Sequence, residues 1–115
     1  MENFEKQLFG DILIEKINLP RATTNEAGII KKRLFEDIQL NNKKIIVYIS
    51  NNTFVDSSFI GALVVSLKKI RETGGDIKIV IGSTSFTGGI INSIGFLRVF
   101  ETFSSLKDAI DSFSS

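Results

Sequence analysis

The amino-acid sequence predicts an α/β fold in which a mixed, mainly parallel sheet is flanked by about four helices. Apolar strand patterns alternate with helical patterns along the chain, and strands joined through helices require right-handed crossovers and a largely parallel sheet. The apolar residues of Lys43–Ser50 do not alternate with polar ones, which is typical of a strand covered on both faces. With 115 residues, the chain is expected to form one domain over residues 1–115.

The N-terminal part of the sequence predicts a hairpin at the edge of this sheet. Asn3–Phe9 has the pattern of a short edge strand, and Gly10 with Asp11 has that of a turn. Ile12–Asn18 is predicted as the second strand. Pro20 ends it, because proline lacks the backbone N–H that a sheet ladder uses.

A first helix is expected to begin after Thr23 or Thr24. Either threonine can cap it, with Glu26 in the first turn, and Asn41 with Asn42 ends it. The apolar residues recur at helical spacing and predict the face that packs on the sheet. This stripe consists of Ala27, Ile30, Leu34, Phe35 and Ile38.

A second helix is predicted over Ser57–Thr73. Gly74 and Gly75 form its C-terminal stop, and an apolar strand follows over Asp76–Gly82. The spacing of its apolar residues again predicts one buried stripe. That stripe consists of Ile60, Leu63, Val64, Leu67 and Ile70.

The last third of the chain predicts three short elements. These are a helix over Thr84–Gly95, a strand over Val99–Phe103, and a final helix capped by Ser104 or Ser105. The apolar side of the final helix consists of Leu106, Ala109, Ile110 and Phe113.

Composition removes several classes of site. The chain has no cysteine and no histidine, so we exclude disulfides, thiol or histidine catalysis and the usual zinc sites. The remaining carboxylates, lysines and hydroxyls form no recognisable catalytic constellation, and we expect no enzymatic activity, cofactor or metal.

Charge and hydropathy bear on partners and location. The 14 Lys and Arg residues against 13 Asp and Glu residues give a net charge of +1, so a nucleic-acid partner is not expected. The short basic runs Lys31–Arg33 and Lys68–Arg71 are interpreted as solvated helix faces. Residues 1–6 have no apolar signal core, and no apolar run approaches the ~18 residues that span a bilayer. We therefore expect a cytoplasmic protein that does not insert into a membrane.

Two hydroxyls and a carboxylate stand where a strand pattern gives way to a helical pattern. Asp56, Ser57 and Ser58 follow the apolar run Ile45–Ile49 and open the second helix. The first N–H groups of a helix lack partners and carry partial positive charge. Such a position can hold a helix cap, a bound anion or a serine that receives a phosphate. The local sequence alone favours the cap.

Four segments, taken in order, resemble the STAS domain of bacterial anti-sigma factor antagonists. The resemblance extends from about Ile12 to Phe113 and implies the α/β fold described above. The segments are Leu19, Ala22, Thr23 and Glu26; Val55-Asp56-Ser57-Ser58 with Ile60-Gly61-Ala62-Leu63; Glu72-Thr73-Gly74-Gly75-Asp76; and Gly95-Phe96-Leu97-Arg98-Val99-Phe100.

The resemblance also implies a function. Unmodified antagonists of this family bind an anti-sigma factor that is also a serine kinase, and so free the sigma factor. The kinase then phosphorylates the first serine of the Asp-Ser-Ser pattern, here Ser57, and the complex breaks. The implied partner-binding residues are Pro20, Arg21, Thr23, Asp56, Ser57, Ser58, Phe59 and Ala62.

Two departures from the family pattern flank the implied docking surface. Phe59 stands where the family has glycine, and Pro20 stands where it has aspartate. These departures favour an alternative function, a structural STAS subunit that docks on a larger assembly such as an ABC-type lipid transporter. The predicted core stripe of the second helix is complete without Phe59, so Phe59 is either a partner contact or a partly buried residue.

Overall fold

The computed structural model describes residues 3–50, 53–81 and 100–114. Within these ranges the chain forms a five-stranded sheet, a two-stranded sheet and three helices. In chain order the elements are β1 (Phe4–Phe9), β2 (Ile12–Ile17), β3 (Arg21–Ala22), α1 (Thr24–Gln39), β4 (Lys44–Ile49), β5 (Phe54–Val55), α2 (Ser57–Arg71), β6 (Asp76–Ile81), β7 (Thr102–Phe103) and α3 (Leu106–Ser112).

The five-stranded sheet is mixed and mainly parallel, which confirms the predicted class. Its strand order is β1-β2-β4-β6-β7; β1 is an antiparallel edge strand, and the other neighbouring pairs are parallel. The helix predicted over Thr84–Gly95 lies outside the described residues. So does the start of the strand predicted over Val99–Phe103, of which the structure shows β7.

The long central strands are apolar at successive positions because a different layer covers each face of the sheet. On one face, alternate strand residues pack with α1 and α2 in the larger core. On the other face, α3 covers a smaller apolar cluster. The five-stranded sheet contributes Leu13, Ile17, Ile45, Val47, Ile49, Ile77 and Ile79 to the larger core, and the smaller cluster contains Ile12, Ile14, Ile46, Val80 and Ala109.

The helices begin and end at the predicted signals. Thr23, rather than Thr24, is the N-cap of α1, and Ser105 caps α3 by accepting a hydrogen bond from a backbone N–H. Asn41 follows α1 with φ 70°, and Gly74 follows α2 with φ 86°. This left-handed backbone is the conformation in which helices commonly end. The second helix ends at Arg71, two residues before the predicted Thr73.

Three buried charged side chains were not predicted from the sequence. The Lys78 ammonium donates to the Ser112 hydroxyl at 2.7 Å and lies 4.2 Å from the centre of the Phe113 ring, so it attaches α3 to the sheet. Glu15 of β2 and Asp37 of α1 approach each other between the sheet and the helix. Because Glu15 and Asp37 are distant in sequence, no local pattern predicts their pairing.

Gly75 should not tolerate a side chain. A Cβ there would lie 2.6 Å from the Lys43 carbonyl oxygen and 2.8 Å from the Ile70 side chain, so the close approach of the chain after α2 requires glycine. We expect Gly75→Ala to lower the free energy of unfolding by about 1–3 kcal/mol, as overpacking does.

Gly28→Ala is the matched control for this prediction, measured by urea denaturation of both variants. A Cβ at Gly28 in α1 would meet no atom within 4 Å, so alanine should raise stability by about 0.5–1 kcal/mol through helix propensity alone. Equal effects of the two substitutions would contradict the close approach at Gly75.

Candidate functional site

The two-stranded sheet of β3 and β5 joins the connections that lead into α1 and α2. These strands pair in parallel, with Arg21 opposite Phe54 and Ala22 opposite Val55. The Phe54 N–H donates to the carbonyl of Pro20 at 2.9 Å, and the Asp56 N–H donates to the carbonyl of Ala22 at 3.3 Å. Both helices therefore begin side by side at the carboxyl edge of the main sheet, where ligand and partner sites of α/β folds commonly lie.

Asp56 is the N-cap of α2. Its backbone is extended, and its side-chain oxygen accepts a hydrogen bond from the Phe59 N–H at 3.0 Å. Such a cap contributes about 0.5–2 kcal/mol to stability. The capping interpretation is therefore confirmed for Asp56, and it leaves both following serines free for other roles.

Ser57 and Ser58 are both exposed, but their hydroxyls differ in their contacts. Thr24 of α1 donates a long hydrogen bond of 3.4 Å to the Ser58 hydroxyl. In the described part of the chain, the Ser57 hydroxyl has no hydrogen-bond partner. Ser57 is thus the first residue of α2, exposed at the positive end of its backbone dipole.

The connection from β2 into α1 forms the surface next to the start of α2. Pro20 and Arg21 are exposed, and the Arg21 guanidinium lies 4.8 Å from the centre of the Phe54 ring. Thr23 is turned toward its own helix, because its N–H and hydroxyl both donate to the Glu26 carboxylate at 2.8 and 3.1 Å. The backbone hydrogen bond from Thr23 is the main cause that holds the pKa of Glu26 below its usual value.

Phe59 and Ala62 do not lie on the exposed surface. Phe59 is 0% exposed and Ala62 is 8% exposed, so neither offers the accessible surface that a partner-binding residue needs, and Phe59 is buried completely rather than partly. The physical reason is that α2 packs against α1 as well as on the sheet, which buries a second stripe beside the predicted one. Ser66, on the same side of the helix, is buried too and donates to the Ala62 carbonyl at 2.9 Å.

The structure thus brings together six of the eight predicted partner-binding residues on two adjacent connections and the first turn of α2. It adds two neighbours that were not predicted as site residues, Thr24 beside Ser58 and Phe54 beneath Arg21. Thr24 was recognised only as a capping residue. Phe54 carried no signal in the sequence, because its partner lies more than thirty positions away and meets it only through the β3–β5 pairing.

Among residues 3–50, 53–81 and 100–114, no group of three or more acidic side chains is placed to hold a metal ion. The helices in those ranges are also too short or too polar to cross a bilayer.

The chain matches the model of a known family over most of its length. The family model of the STAS domain matches residues 4–109. The chain belongs to the STAS domain family. The predicted resemblance is therefore confirmed over nearly the whole chain. No match was found among the curated proteins.

Solved structures share this STAS fold over almost their full length. TM1081 from Thermotoga maritima, assigned as an anti-sigma factor antagonist, has 16% sequence identity and a TM-score of 0.76, with 97% of this chain and 95% of that chain covered. The anti-sigma factor antagonist SpoIIAA in its unphosphorylated form has 15% identity and a TM-score of 0.69, with 97% and 98% covered. SpoIIAA of Bacillus in its phosphorylated form has 12% identity and a TM-score of 0.64, with 96% and 98% covered. At these identities the likeness shows the fold.

The burial of Phe59 makes a stability prediction. Phe59→Ala should lower the free energy of unfolding by about 3–5 kcal/mol, because it leaves a cavity beneath the first turn of α2. Urea denaturation measures the loss. Val65→Ala, in the same helix but 43% exposed, is the control and should change stability by less than about 0.5 kcal/mol. Similar small losses in both variants would contradict a core role for Phe59.

Proposed function

We propose that this STAS domain is a non-enzymatic regulator of transcription in the bacterial cytoplasm that binds an anti-sigma factor with serine kinase activity. Phosphorylation of Ser57 then dissociates the complex. The observation that carries the proposal is the exposed Ser57 hydroxyl at the start of α2, beside the exposed connection of Pro20 and Arg21. SpoIIAA, which shares the fold, has been solved in unphosphorylated and phosphorylated forms, and this supports the same kind of switch.

Simple electrostatics explains how a phosphate at Ser57 would act. It adds about −1.5 to −2 charges next to the Asp56 carboxylate. The positive end of the helix dipole stabilises an exposed phosphate by only ~0.3–1 kcal/mol. The phosphate therefore changes the stability of the fold little, and the fold accommodates it without rearrangement. A partner that covers this surface would instead bury a dianion without a compensating charge, at a cost of several kcal/mol.

The alternative, a structural subunit of a larger assembly, rested on Phe59 and Pro20. Phe59 is buried and offers no surface to a partner. Pro20 remains exposed, but it lies on the same surface that the switch would use. The free hydroxyl of Ser57 therefore favours the switch over the structural subunit.

Phosphate should be found on Ser57 and not on Ser58. Ser57→Ala, which cannot be phosphorylated at this position, is the bait that isolates the partner kinase. The native protein is then incubated with that kinase and ATP, and the site is mapped by mass spectrometry. Ser57→Ala should lose the label and Ser58→Ala should keep it. Label on Ser58 alone, or none with a verified partner kinase, would refute this assignment.

A negative charge at Ser57 should weaken partner binding. We expect Ser57→Asp to raise the Kd at least tenfold, about 1.4 kcal/mol, with little change in the melting temperature. Ser57→Asn introduces a side chain of nearly the same shape as aspartate but without the charge, so this variant should bind like the native protein. Isothermal titration with the purified partner measures the three affinities. Equal Kd values for the Asp and Asn variants would show that charge at Ser57 is not the switch.

A further inference from the structure

Four charged side chains form a cluster between the β1–β2 edge of the sheet and α1. Glu15 of β2 and Asp37 of α1 are its acids, and their side chains are 0% and 1% exposed. Lys6 of β1 and Arg33 of α1 are its bases, and both reach it from the surface. We call these four residues the charge cluster. Arg33 and Asp37 lie in the C-terminal half of α1, away from the helix start beside Ser57.

Each base contacts one oxygen of one acid. Arg33 donates to Glu15 Oε1 from Nε at 3.0 Å and from Nη2 at 2.9 Å. Lys6 Nζ lies 2.8 Å from Asp37 Oδ1, but 3.9 Å from Glu15 Oε2, which is too long for a hydrogen bond. Glu15 Oε2 and Asp37 Oδ2 are buried and find no hydrogen-bond partner within the described residues.

Two buried carboxylate oxygens without donors are a costly arrangement. An unsatisfied buried acceptor costs about 1–3 kcal/mol, and more when it is charged. Two neighbouring carboxylates also resist ionising together. One proton between Glu15 and Asp37 removes both costs, because it gives the two free oxygens a shared O–H···O hydrogen bond.

The surroundings of Glu15 favour this proton. Burial is the main cause that raises the pKa of Glu15 to about 8; the neighbouring Asp37 carboxyl acts in the same direction, and Arg33 opposes both. The charged groups packed against Glu15 are Lys6 from β1 and Arg33 with Asp37 from α1. The neighbouring strand β4 contributes an apolar residue, Val47, as the sheet partner of Glu15.

We propose that Glu15 and Asp37 share one proton, and that this proton makes the attachment of β1 and α1 to the sheet sensitive to pH. When the proton is lost, two adjacent like charges are buried, and they are relieved by admitting water between α1 and the sheet edge. Of the two strands that meet the charge cluster, β1 opens at the lower cost, because β2 is its one neighbour in the described sheet, whereas β2 also pairs with β4.

The direction of the pH effect follows from linkage. In the folded protein Glu15 keeps its proton up to about pH 8, whereas its ordinary pKa is 4.5. The folded state therefore binds more protons than the unfolded state between these values, and the free energy of unfolding falls as pH rises through this window. The contribution is complete below pH 4.5 and absent above pH 8.

Glu15→Gln tests whether Glu15 acts through a shared proton or only as a structural contact. A glutamine amide donates to Asp37 and its carbonyl accepts from Arg33, so it reproduces the protonated acid at every pH. Between pH 6 and pH 9, the folding equilibrium constant of the native protein should fall at least tenfold relative to Glu15→Gln. Hydrogen-exchange protection factors of the β1 amides should fall in parallel in the native protein alone. Asp37→Asn, which also supplies a donor, serves if Glu15→Gln does not fold.

Asp11→Asn is the surface control, because Asp11 is an exposed acid whose hydrogen bond with Lys44 lowers its pKa. It should keep the native pH profile between pH 6 and pH 9. The carboxyl-carbon NMR shift of Glu15 gives the direct reading. Titration near pH 8 supports the shared proton. Titration near pH 4.5, or identical pH profiles for the native protein and Glu15→Gln, would overturn it.

Discussion

The parallel pairing of Arg21–Ala22 with Phe54–Val55 is the contact on which the candidate site depends. Each strand has two residues, so the ladder itself contributes few hydrogen bonds. It is held because the inward-facing Ala22 and Val55 are almost completely buried in the main core. Since both connections are fixed at this point, α1 and α2 start side by side, and residues more than thirty positions apart form one surface.

The first turn of α2 separates structural from functional residues. Asp56 closes the helix start and Phe59 fills the core below it, so both are committed to stability. Ser57 lies between them in sequence but points to solvent, and its hydroxyl carries no structural duty within the described chain. A modification at such a residue changes surface charge while the cap and the core stay in place. This arrangement suits a switch that acts on a partner rather than on the fold.

The sheet edge is stabilised in a different way from its centre. The central strands are held by apolar side chains on both faces, whereas β1 meets α1 through the charge cluster of Lys6, Glu15, Arg33 and Asp37. Buried ion pairs contribute little net stability, because desolvation offsets their attraction. Their energy depends on protonation, so the edge of the sheet responds to pH where the apolar core does not.

The sequence by itself determined the long strands and the helices within the described residues, because these follow local rules, but it did not predict the two-residue strands β3 and β5. Alternating strand and helix patterns, a threonine cap at Thr23 or Thr24, the cap at Asp56 and the glycine stop after α2 depend on residues within one turn of each other. Only the tertiary structure decided which residues beside the predicted apolar stripes become buried and what they contact. Phe59 is buried because α2 also packs against α1, and the pairing of Glu15 with Asp37 exists because a strand and a helix distant in sequence meet there. A helical stripe predicts which side faces the sheet, but only the packed neighbours decide how wide the buried face becomes and which charges it encloses.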